Sequence, residues 1–329
     1  MQEKITKLMQ EKAAQLLENA QVDYVLGFKQ GEFFYDNSPF MFSTAAQLNE
    51  LVFNNFCAPT LSKYLIDSGK KAKKVAIFLR ACDSYNFNQL LKENRIKREL
   101  VHVISIPCVG MLDILKLKAE GVKNIKAVQN NEDGSIVLST SKGDVQLNKV
   151  DFLMEKCLAC RLDSAQVEFD EVLCEAAKPS RTYDRFAKVK ELEAMSPQAR
   201  FEFWQQELSK CIRCNACKDI CPACSCEQCV FDNANAGISS KANSTEFEEQ
   251  MYHIVRAFHV AGRCTDCGEC SRICPQGIPL YLLNRKFIAD INEFYGTYQA
   301  GADCDSRAPL LKFELDDVES TVLNKKEEN

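Results

Sequence analysis

Two runs of cysteines near the carboxyl end of the chain share one spacing. Each run reads C-x2-C-x2-C-x3-C-P; the first spans residues 211–222 and the second 264–275. In this spacing three thiolates can surround one 4Fe-4S cluster, and the fourth cysteine of each run ligates the neighbouring cluster. The sequence therefore predicts a first cluster on Cys211, Cys214, Cys217 and Cys274, and a second on Cys264, Cys267, Cys270 and Cys221.

Four cysteine thiolates also suit zinc, which is the alternative for each set. Structural zinc sites usually draw their ligands from separated C-x2-C pairs, whereas these runs group three cysteines and end in Cys-Pro. We therefore expect iron-sulfur clusters, close enough for an electron to pass between them. Four cations inside or beside the runs could favour a reduced cluster or simply face solvent: Arg213, Lys218, Arg263 and Arg272.

Three further cysteines follow the first run, in the sequence CPACSCEQC: Cys224, Cys226 and Cys229. Two clusters do not need these thiols as ligands. They could bind zinc, replace a cluster ligand or contribute to a third cluster, and the alternative is a cysteine-rich loop whose thiols only pack.

Cysteines also follow two predicted strands in the first half of the chain. Cys82 follows the strand at 73–80, and Cys108 follows the strand at 99–107. Neighbouring parallel strands end at one sheet edge, and a helix that starts after a thiol favours its ionised form. Together with a later C-x2-C pair, these two cysteines predict a third 4Fe-4S cluster, on Cys82, Cys108, Cys157 and Cys160. The alternatives are a zinc site or buried thiols that are unrelated to one another. Three isolated cysteines are expected to be structural: Cys57, Cys174 and Cys304.

The elements that must position these cysteines fall into two different domains. The first half alternates elements along the chain, with strands at 22–28, 73–80 and 99–107 and helices at 3–19, 45–68, 84–94 and 111–121. Repeated strand-then-helix units predict an α/β domain with a mostly parallel sheet. Three short strands separated by turns are expected to follow, within residues 124–148.

The second half predicts an α-helical, ferredoxin-like dicluster domain. Ser196 and Pro197 favour a helix start, with serine as N-cap and proline at the first helical position. A second helix at 246–262 precedes the second cysteine run, so a helix followed by such a run occurs twice. The aromatic residues of these helices are expected in the core: Phe201, Trp204, Tyr252 and Phe258. We place the domains at 1–180 and 181–310, with a polar tail at 311–329.

Composition narrows the classes of function. The chain has 329 residues and a net charge of -5, which disfavours a nucleic-acid partner. The chain has 18 Cys but only 3 His, so few histidines are present to bind zinc or to act as general bases. The sequence contains no P-loop, nucleophile elbow or H-E-x-x-H motif. It also lacks a signal peptide and an apolar stretch of about 18 residues, so we expect a cytoplasmic protein without a transmembrane segment.

Five stretches together resemble the coenzyme F420 hydrogenase/dehydrogenase beta-subunit family. They are RACDSYNFNQLL (80–91), VISIPCVGMLD (103–113), KCLAC (156–160), CIRCNACKDICPACSCEQCVFD (211–232) and AFHVAGRCTDCGECSRICPQGIPL (257–280). The sequence is most similar to the iron-sulfur beta subunits of formate dehydrogenases and hydrogenases of anaerobes. The resemblance implies a relay subunit bound to a partner that oxidises formate or hydrogen, or to a heterodisulfide-reductase-like complex. It also implies FAD, but no G-x-G-x-x-G follows a strand, so no flavin ligands are assigned.

These observations favour an electron-transfer subunit over an enzyme in its own right. We expect the chain to relay single electrons through two or three 4Fe-4S clusters, between a catalytic oxidoreductase subunit and a second redox protein. The alternative is a flavin-containing subunit that oxidises or reduces a deazaflavin (F420) or a nicotinamide cofactor. A third interpretation is a scaffold braced by redox-silent clusters. The cysteine motifs all serve the first interpretation.

Overall fold

The computed structural model describes residues 2–108, 110–160, 167–174, 183–233, 235 and 246–311. The chain divides into an N-terminal unit, Met1–Asp184, and a C-terminal unit, Arg185–Asn329. The N-terminal unit contains the four cysteines predicted for the third cluster, and the C-terminal unit contains those predicted for the first two. Apart from residue 311, the predicted polar tail lies outside the described residues.

A five-stranded sheet forms the centre of the N-terminal unit. The strands of this unit are β1 Tyr24–Gln30, β2 Asn37–Phe42, β3 Val75–Leu79, β4 Val101–Ser105, β5 Ile125–Asn130, β6 Ser135–Thr140, β7 Gly143–Asn148 and β8 Glu171–Val172. Its helices are α1 Gln2–Glu18, α2 Leu65–Lys70, α3 Ala81–Lys92, α4 Ile114–Ala119 and α5 Glu155–Leu158. The central sheet has the order β2-β1-β3-β4-β8, and only the β1–β2 pair is antiparallel. The predicted α/β class with a mostly parallel sheet is therefore confirmed.

The middle of this sheet is buried on both faces and delivers two cysteines to one edge. All five residues of β3 are buried, as expected for a central parallel strand. Strands β3 and β4 run in register, with Leu79 opposite Ser105 at their carboxyl ends. The chain leaves both strands at the same edge, shortly before Cys82 and Cys108.

The predicted helix at 45–68 is wrong for most of its length. The chain forms 3-10 turns at Ala45–Glu50 and Ser62–Tyr64 instead, and only α2 is an α-helix. Side chains replace the helical hydrogen bonds here, because Asn54 Oδ1 accepts from the Phe56 N–H at 2.8 Å. Pro59 also lacks the N–H that a continuous helix would need.

Strand β2 was not predicted, because Pro39 interrupts a segment that otherwise alternates. The strand lies at the edge of the sheet, where it pairs with β1 alone and sets Pro39 opposite Phe28. An edge strand tolerates proline, since one of its sides has no neighbour to accept hydrogen bonds. The three short strands expected within 124–148 are present as an antiparallel sheet, β5-β6-β7.

The described part of the C-terminal unit is helical. Its helices are α6 Ala187–Glu193, α7 Pro197–Leu208, α8 Ala216–Asp219, α9 Glu246–His259, α10 Glu269–Arg272 and α11 Leu280–Phe294. Helix α7 begins as predicted, with Ser196 Oγ accepting from the Ala199 N–H at 3.2 Å and Pro197 in the first turn. The expectation that all four aromatic residues are core is wrong for Phe201 and Phe258, whose exposed fractions are 55% and 62%.

None of the helices that the structure describes could cross a membrane. The longest, α1, has 17 residues and carries charges along its length. A span needs roughly 20 mostly apolar residues.

The carboxylate of Asp170 fastens β8 to β4 and should make the N-terminal unit sensitive to acid. Asp170 Oδ2 accepts from the Val103 N–H at 2.6 Å and from Arg98 at 2.9 Å. Partial burial alone would raise the pKa of Asp170, but these hydrogen bonds outweigh it and hold the pKa below its usual value. A carboxylate with a depressed pKa stabilises the fold above its unfolded pKa of about 3.9, and the contribution is lost as pH falls through the folded value.

We therefore expect Asp170→Asn to lower the free energy of unfolding at pH 7 by about 1 kcal/mol. The difference from the parent protein should shrink as pH falls through the depressed pKa of Asp170, where the native carboxyl is itself protonated. Thermal unfolding of the parent protein and the variant, from pH 7 into the acid range, measures the loss of stability at pH 7 and its decline at low pH. The control is Asp144→Asn, at an exposed position, which should leave the loss of stability at low pH unchanged.

Candidate iron-sulfur sites

The two C-terminal cysteine runs fold into loops of matching conformation. In each loop, the residue two places after the first cysteine and the residue after the second cysteine have positive φ. These angles are 52° at Arg213 and 63° at Asn215 in the first loop, and 62° at Asp266 and 67° at Gly268 in the second. Left-handed residues let each run coil around one centre before its third cysteine enters a short helix, α8 or α10.

Buried ion pairs hold the strained residue of each loop against a long helix. Arg213 lies 3.8 Å from Glu249 of α9, and its guanidinium stacks 4.3 Å from the centre of the Tyr252 ring. In the second loop the charges are reversed, because Asp266 is the acid and Arg285 of α11 is the base, 2.8 Å away. Non-glycine residues in the left-handed region cost about 1–2 kcal/mol, so anchors of this kind are needed.

The same loop geometry directs backbone N–H groups at sulfur. The Arg213 N–H donates to Cys211 Sγ at 3.3 Å, and in the second loop the Asp266 N–H donates to Cys264. The Asn284 side chain donates to Cys270 Sγ at 3.6 Å. Hydrogen bonds to ligand sulfurs stabilise thiolates and are one of the means by which a protein sets cluster potentials.

The four cysteines predicted for the first cluster line one small cavity. Cys211, Cys214 and Cys217 come from the first run, and Cys274 reaches the cavity from the end of the second. Tyr252 and His253 of α9 form another part of the wall. Burial, and after it the positive charge of Arg256, lowers the pKa of His253 to about 3, so the imidazole ring is neutral.

The four cysteines predicted for the second cluster also lie together. Burial is the main cause that raises the pKa values of Cys264, Cys267 and Cys270, and a thiolate at Cys221 raises all three further. For Cys270 the resulting pKa is about 11. The structure therefore brings Cys221 of the first run to the three grouped thiols of the second.

Every cysteine of the chain lies in the described part, and none forms a disulfide. Thiols grouped by fours without disulfide bonds suit metal ligation. A second observation supports the fit: the buried Arg256 guanidinium has no hydrogen-bond partner among the described residues. Its N–H groups suit the sulfur atoms of a cluster, which accept hydrogen bonds. The residues present therefore fit two 4Fe-4S clusters.

Sequence reasoning selected four cations near the runs and missed Arg256. Arg213, Lys218 and Arg272 each pair with carboxylates, of Glu249, Asp232 and Glu269 respectively. Arg263 is half-buried and donates to the His259 carbonyl. The signal that would have identified Arg256 is the helical spacing of residues 249, 252, 253 and 256, which marks one face of α9.

The three additional cysteines lie in different surroundings. Cys224 lies beside Cys221, and its hydrogen bond is the main reason why the pKa of Cys221 falls to about 6. Cys226 is exposed, whereas Cys229 packs against the hydrophobic core of the unit. Only Cys224 is thus placed beside a predicted cluster ligand by these contacts.

The four N-terminal cysteines converge at the carboxyl edge of the parallel sheet. Burial raises the pKa of Cys82 to about 12, and the charges of Cys108 and Cys157 act in the same direction. Burial also raises the pKa of Cys160, with further contributions from the other three thiols. The four side chains are therefore near neighbours, as predicted from the two strand ends and the C-x2-C pair.

Backbone donors and two cations surround this N-terminal group. Cys108 Sγ accepts from the Gly110 N–H at 3.4 Å, and Cys157 Sγ accepts from the Met111 N–H at 3.3 Å. Arg80 is 2% exposed and donates to the Ala58 and Pro59 carbonyls. Burial opposes its charge, but the thiolates of Cys82 and its neighbours outweigh this and raise the pKa of Arg80. Lys156 also donates to the Ala58 carbonyl, at 2.6 Å.

The three isolated cysteines differ in their burial. Cys57 is fully buried, and its Sγ accepts from the Asn54 N–H at 3.3 Å. Cys174 is half-buried against the core of the N-terminal unit, and Cys304 is exposed.

Comparison with known proteins identifies the domain that contains the two runs. Residues 207–278 match the family of 4Fe-4S dicluster domains. The C-terminal unit therefore contains a 4Fe-4S dicluster domain, and iron-sulfur clusters are cofactors of this chain.

Two curated relatives match nearly the whole chain. The F420-dependent formate dehydrogenase subunit beta of Methanocaldococcus jannaschii is 25% identical over 360 aligned positions, which cover 91% of this chain and 92% of the relative. The F420-dependent formate dehydrogenase 1 subunit beta of Methanococcus maripaludis is 24% identical and covers 90% of each chain. The predicted resemblance to such beta subunits is confirmed.

A solved structure shows a partial similarity. A chain of the F420-reducing NiFe hydrogenase complex from Methanosarcina barkeri aligns with 47% of this chain and 57% of its own length. The two are 14% identical, with a TM-score of 0.37.

Proposed function

We propose that this chain is the iron-sulfur electron-relay subunit of an oxidoreductase complex of the formate dehydrogenase type. The observation that carries the proposal is the pair of matched loops, each of which groups three thiols and receives a fourth from the other run. The two curated relatives, similar along nine-tenths of the chain, are named as beta subunits of such enzymes. The partners would be a catalytic subunit and a second redox protein, in the cytoplasm.

The residues of the chain would ligate, space and tune the clusters. When bound, 4Fe-4S clusters supply one-electron oxidation and reduction without proton transfer. The first set of ligands would be Cys211, Cys214, Cys217 and Cys274, and the second Cys264, Cys267, Cys270 and Cys221. Because each set takes a ligand from the other run, the two sites are held side by side by short segments of backbone. The N–H donors of the loops keep the ligand sulfurs oriented.

The N-terminal cysteines would add a third site to the relay. Four half-buried cysteines near a buried arginine and two backbone donors form an environment that stabilises negative charge, as a thiolate-ligated cluster requires. We infer that Cys82, Cys108, Cys157 and Cys160 ligate a third 4Fe-4S cluster. A single zinc ion on the same thiols is the competing assignment.

A second candidate function rests on the names of the relatives, which are described as F420-dependent. In that case the chain would itself oxidise or reduce a deazaflavin, with FAD as an added cofactor and the clusters as its electron path. Denaturation of anaerobically purified protein tests this. Release of a yellow flavin in about equimolar amount supports the second candidate, and its absence favours the relay.

Anaerobic purification of the tagged chain from its own cells tests the relay itself. We expect equal amounts of iron and sulfide, co-purification with a subunit that oxidises formate or hydrogen, and reduction of the clusters when that substrate is added. The visible absorption of the clusters should bleach, and an electron paramagnetic resonance (EPR) signal of two interacting reduced clusters should develop. Purified chain with zinc in place of iron, or with clusters that the catalytic partner never reduces, would overturn the proposal.

A further inference from the structure

Arg256 is a buried cation whose guanidinium forms no hydrogen bond to any residue that the structure describes. Its side chain lies in the interior of the C-terminal unit with 1% of the residue exposed, and none of its three guanidinium nitrogens has a hydrogen-bond partner among the described residues. The buried Arg213 and Arg285 differ, because each forms an ion pair with a carboxylate. Folding would strongly disfavour a buried guanidinium that faced no compensating negative charge.

The helix that carries Arg256 places it between the two cysteine sets. Tyr252, one turn earlier on α9, lines the cavity of the first set. Val260, which directly follows the last residue of α9, belongs to the buried cluster that contains Cys221 and against which Cys264 packs. Residues four apart lie on the same face of a helix, so Arg256 occupies the level between these two contacts.

The charges that act on Arg256 come from both sets. Four cysteine sulfurs lie near enough to attract the charge of its guanidinium: Cys270, Cys217, Cys221 and Cys224. Cys217 belongs to the first set, whereas Cys270 and Cys221 belong to the second. A single guanidinium therefore faces sulfur ligands of two sites. Its planar fork of N–H donors suits this arrangement better than the single ammonium of lysine does.

We propose that Arg256 is a tuning residue shared by the two C-terminal clusters, donating hydrogen bonds to sulfur at both sites and raising both reduction potentials. Each cluster gains one negative charge when it is reduced, and a fixed buried cation stabilises that charge. Because both sites face the same cation, the negative charge that one cluster gains on reduction offsets part of the positive electrostatic potential that Arg256 creates at the other cluster. The inference rests on the proposed function, since it requires the two clusters to be present.

The test is an EPR-monitored redox titration of the anaerobically purified full-length chain and its variants. In Arg256→Met, which removes the charge but keeps an apolar stem, we expect both clusters to be harder to reduce by at least tenfold in the equilibrium constant. For a one-electron couple this is about 59 mV at each cluster. Arg256→Lys keeps the charge and should shift both potentials less. The matched control is Arg263→Gln, which removes a half-exposed charge next to Cys264 and should change either constant less than threefold.

A second measurement decides the question if Arg256→Met fails to retain its clusters. Wild-type protein labelled with arginine that carries 15N only in the guanidinium group, which leaves the Arg213 backbone N–H beside Cys211 unlabelled, should show a weak nitrogen coupling to both reduced clusters in pulsed EPR, and Arg256→Lys should abolish it. Loss of the coupling together with lowered potentials supports the proposal. Unchanged potentials in cluster-loaded Arg256→Met, a shift at one cluster only, or a coupling that survives in Arg256→Lys would overturn it. Wild-type protein without iron would instead contradict the proposed function.

Discussion

Cys274→Ala is expected to remove the first cluster, although Cys274 belongs to the second cysteine run. The reason is that Cys274 lines the same cavity as Cys211, Cys214 and Cys217. Without it that site has three thiols, and we expect iron to fall by about four atoms per chain or to leave an incomplete cluster. Iron analysis and the EPR spectrum of the reduced protein measure the loss, including loss of the magnetic interaction between the two clusters.

Matched variants identify which cluster is lost. If the ligands cross between the runs, the spectrum of Cys274→Ala resembles that of Cys211→Ala, and the spectrum of Cys221→Ala resembles that of Cys264→Ala. Cys304→Ala replaces an exposed cysteine outside both sets and should keep the full iron content. A spectrum of Cys274→Ala that matches Cys264→Ala would show that each run binds its own cluster, contrary to the crossed arrangement.

The second large effect concerns the N-terminal unit. We expect the double variant Cys82→Ser, Cys157→Ser to lower iron from about twelve to about eight atoms per chain, with an equal fall in sulfide. These two half-buried cysteines are neighbours that come from separate parts of the sequence, so their loss should leave a site with two ligands. Both EPR signals of the C-terminal clusters should persist, because their ligands are untouched.

Metal analysis of the parent protein provides the decisive comparison. A parent chain with about eight iron atoms and no zinc would leave the N-terminal cysteines without a metal. About eight iron atoms with about one zinc ion, the zinc lost in the double variant, would establish a structural zinc site instead. Cys174→Ser alters a half-buried thiol of the same unit outside the group of four and should leave the metal content unchanged.

The grouping of the cysteines was predictable because it depends on local spacing along the chain. Three cysteines within seven residues come together in a tight loop, and the left-handed residues Arg213 and Asp266 supply that loop at equivalent positions. Cys82 and Cys108 could be placed together because parallel strands in register end at one edge. In both cases a short stretch of sequence determines where the side chain lies.

The residues that sequence reasoning missed depend on contacts between distant segments. Proximity in sequence favoured Arg213, yet its charge is paired with Glu249, which lies 36 positions later. Arg256 lies outside both runs and reaches the cysteines only because α9 packs between them. The same limitation explains Phe258, since the sequence of α9 shows an amphipathic helix but not how much of its apolar face is covered. For residues 45–68, side-chain hydrogen bonds from Asn54 outweighed the helical pattern.

The crossed grouping of cysteines has a consequence for the order of events during synthesis. When the ribosome has made the first run and α9, the chain has three of the thiols that line the first cavity, but Cys274 is still missing. The second set is complete at Cys270 and the first only four residues later. Neither site can therefore be filled completely while the intervening segment is being translated. Both loops must stay open to the machinery that delivers iron and sulfide until Cys274 has emerged, and a chain truncated before residue 264 would hold neither of the two C-terminal sets complete.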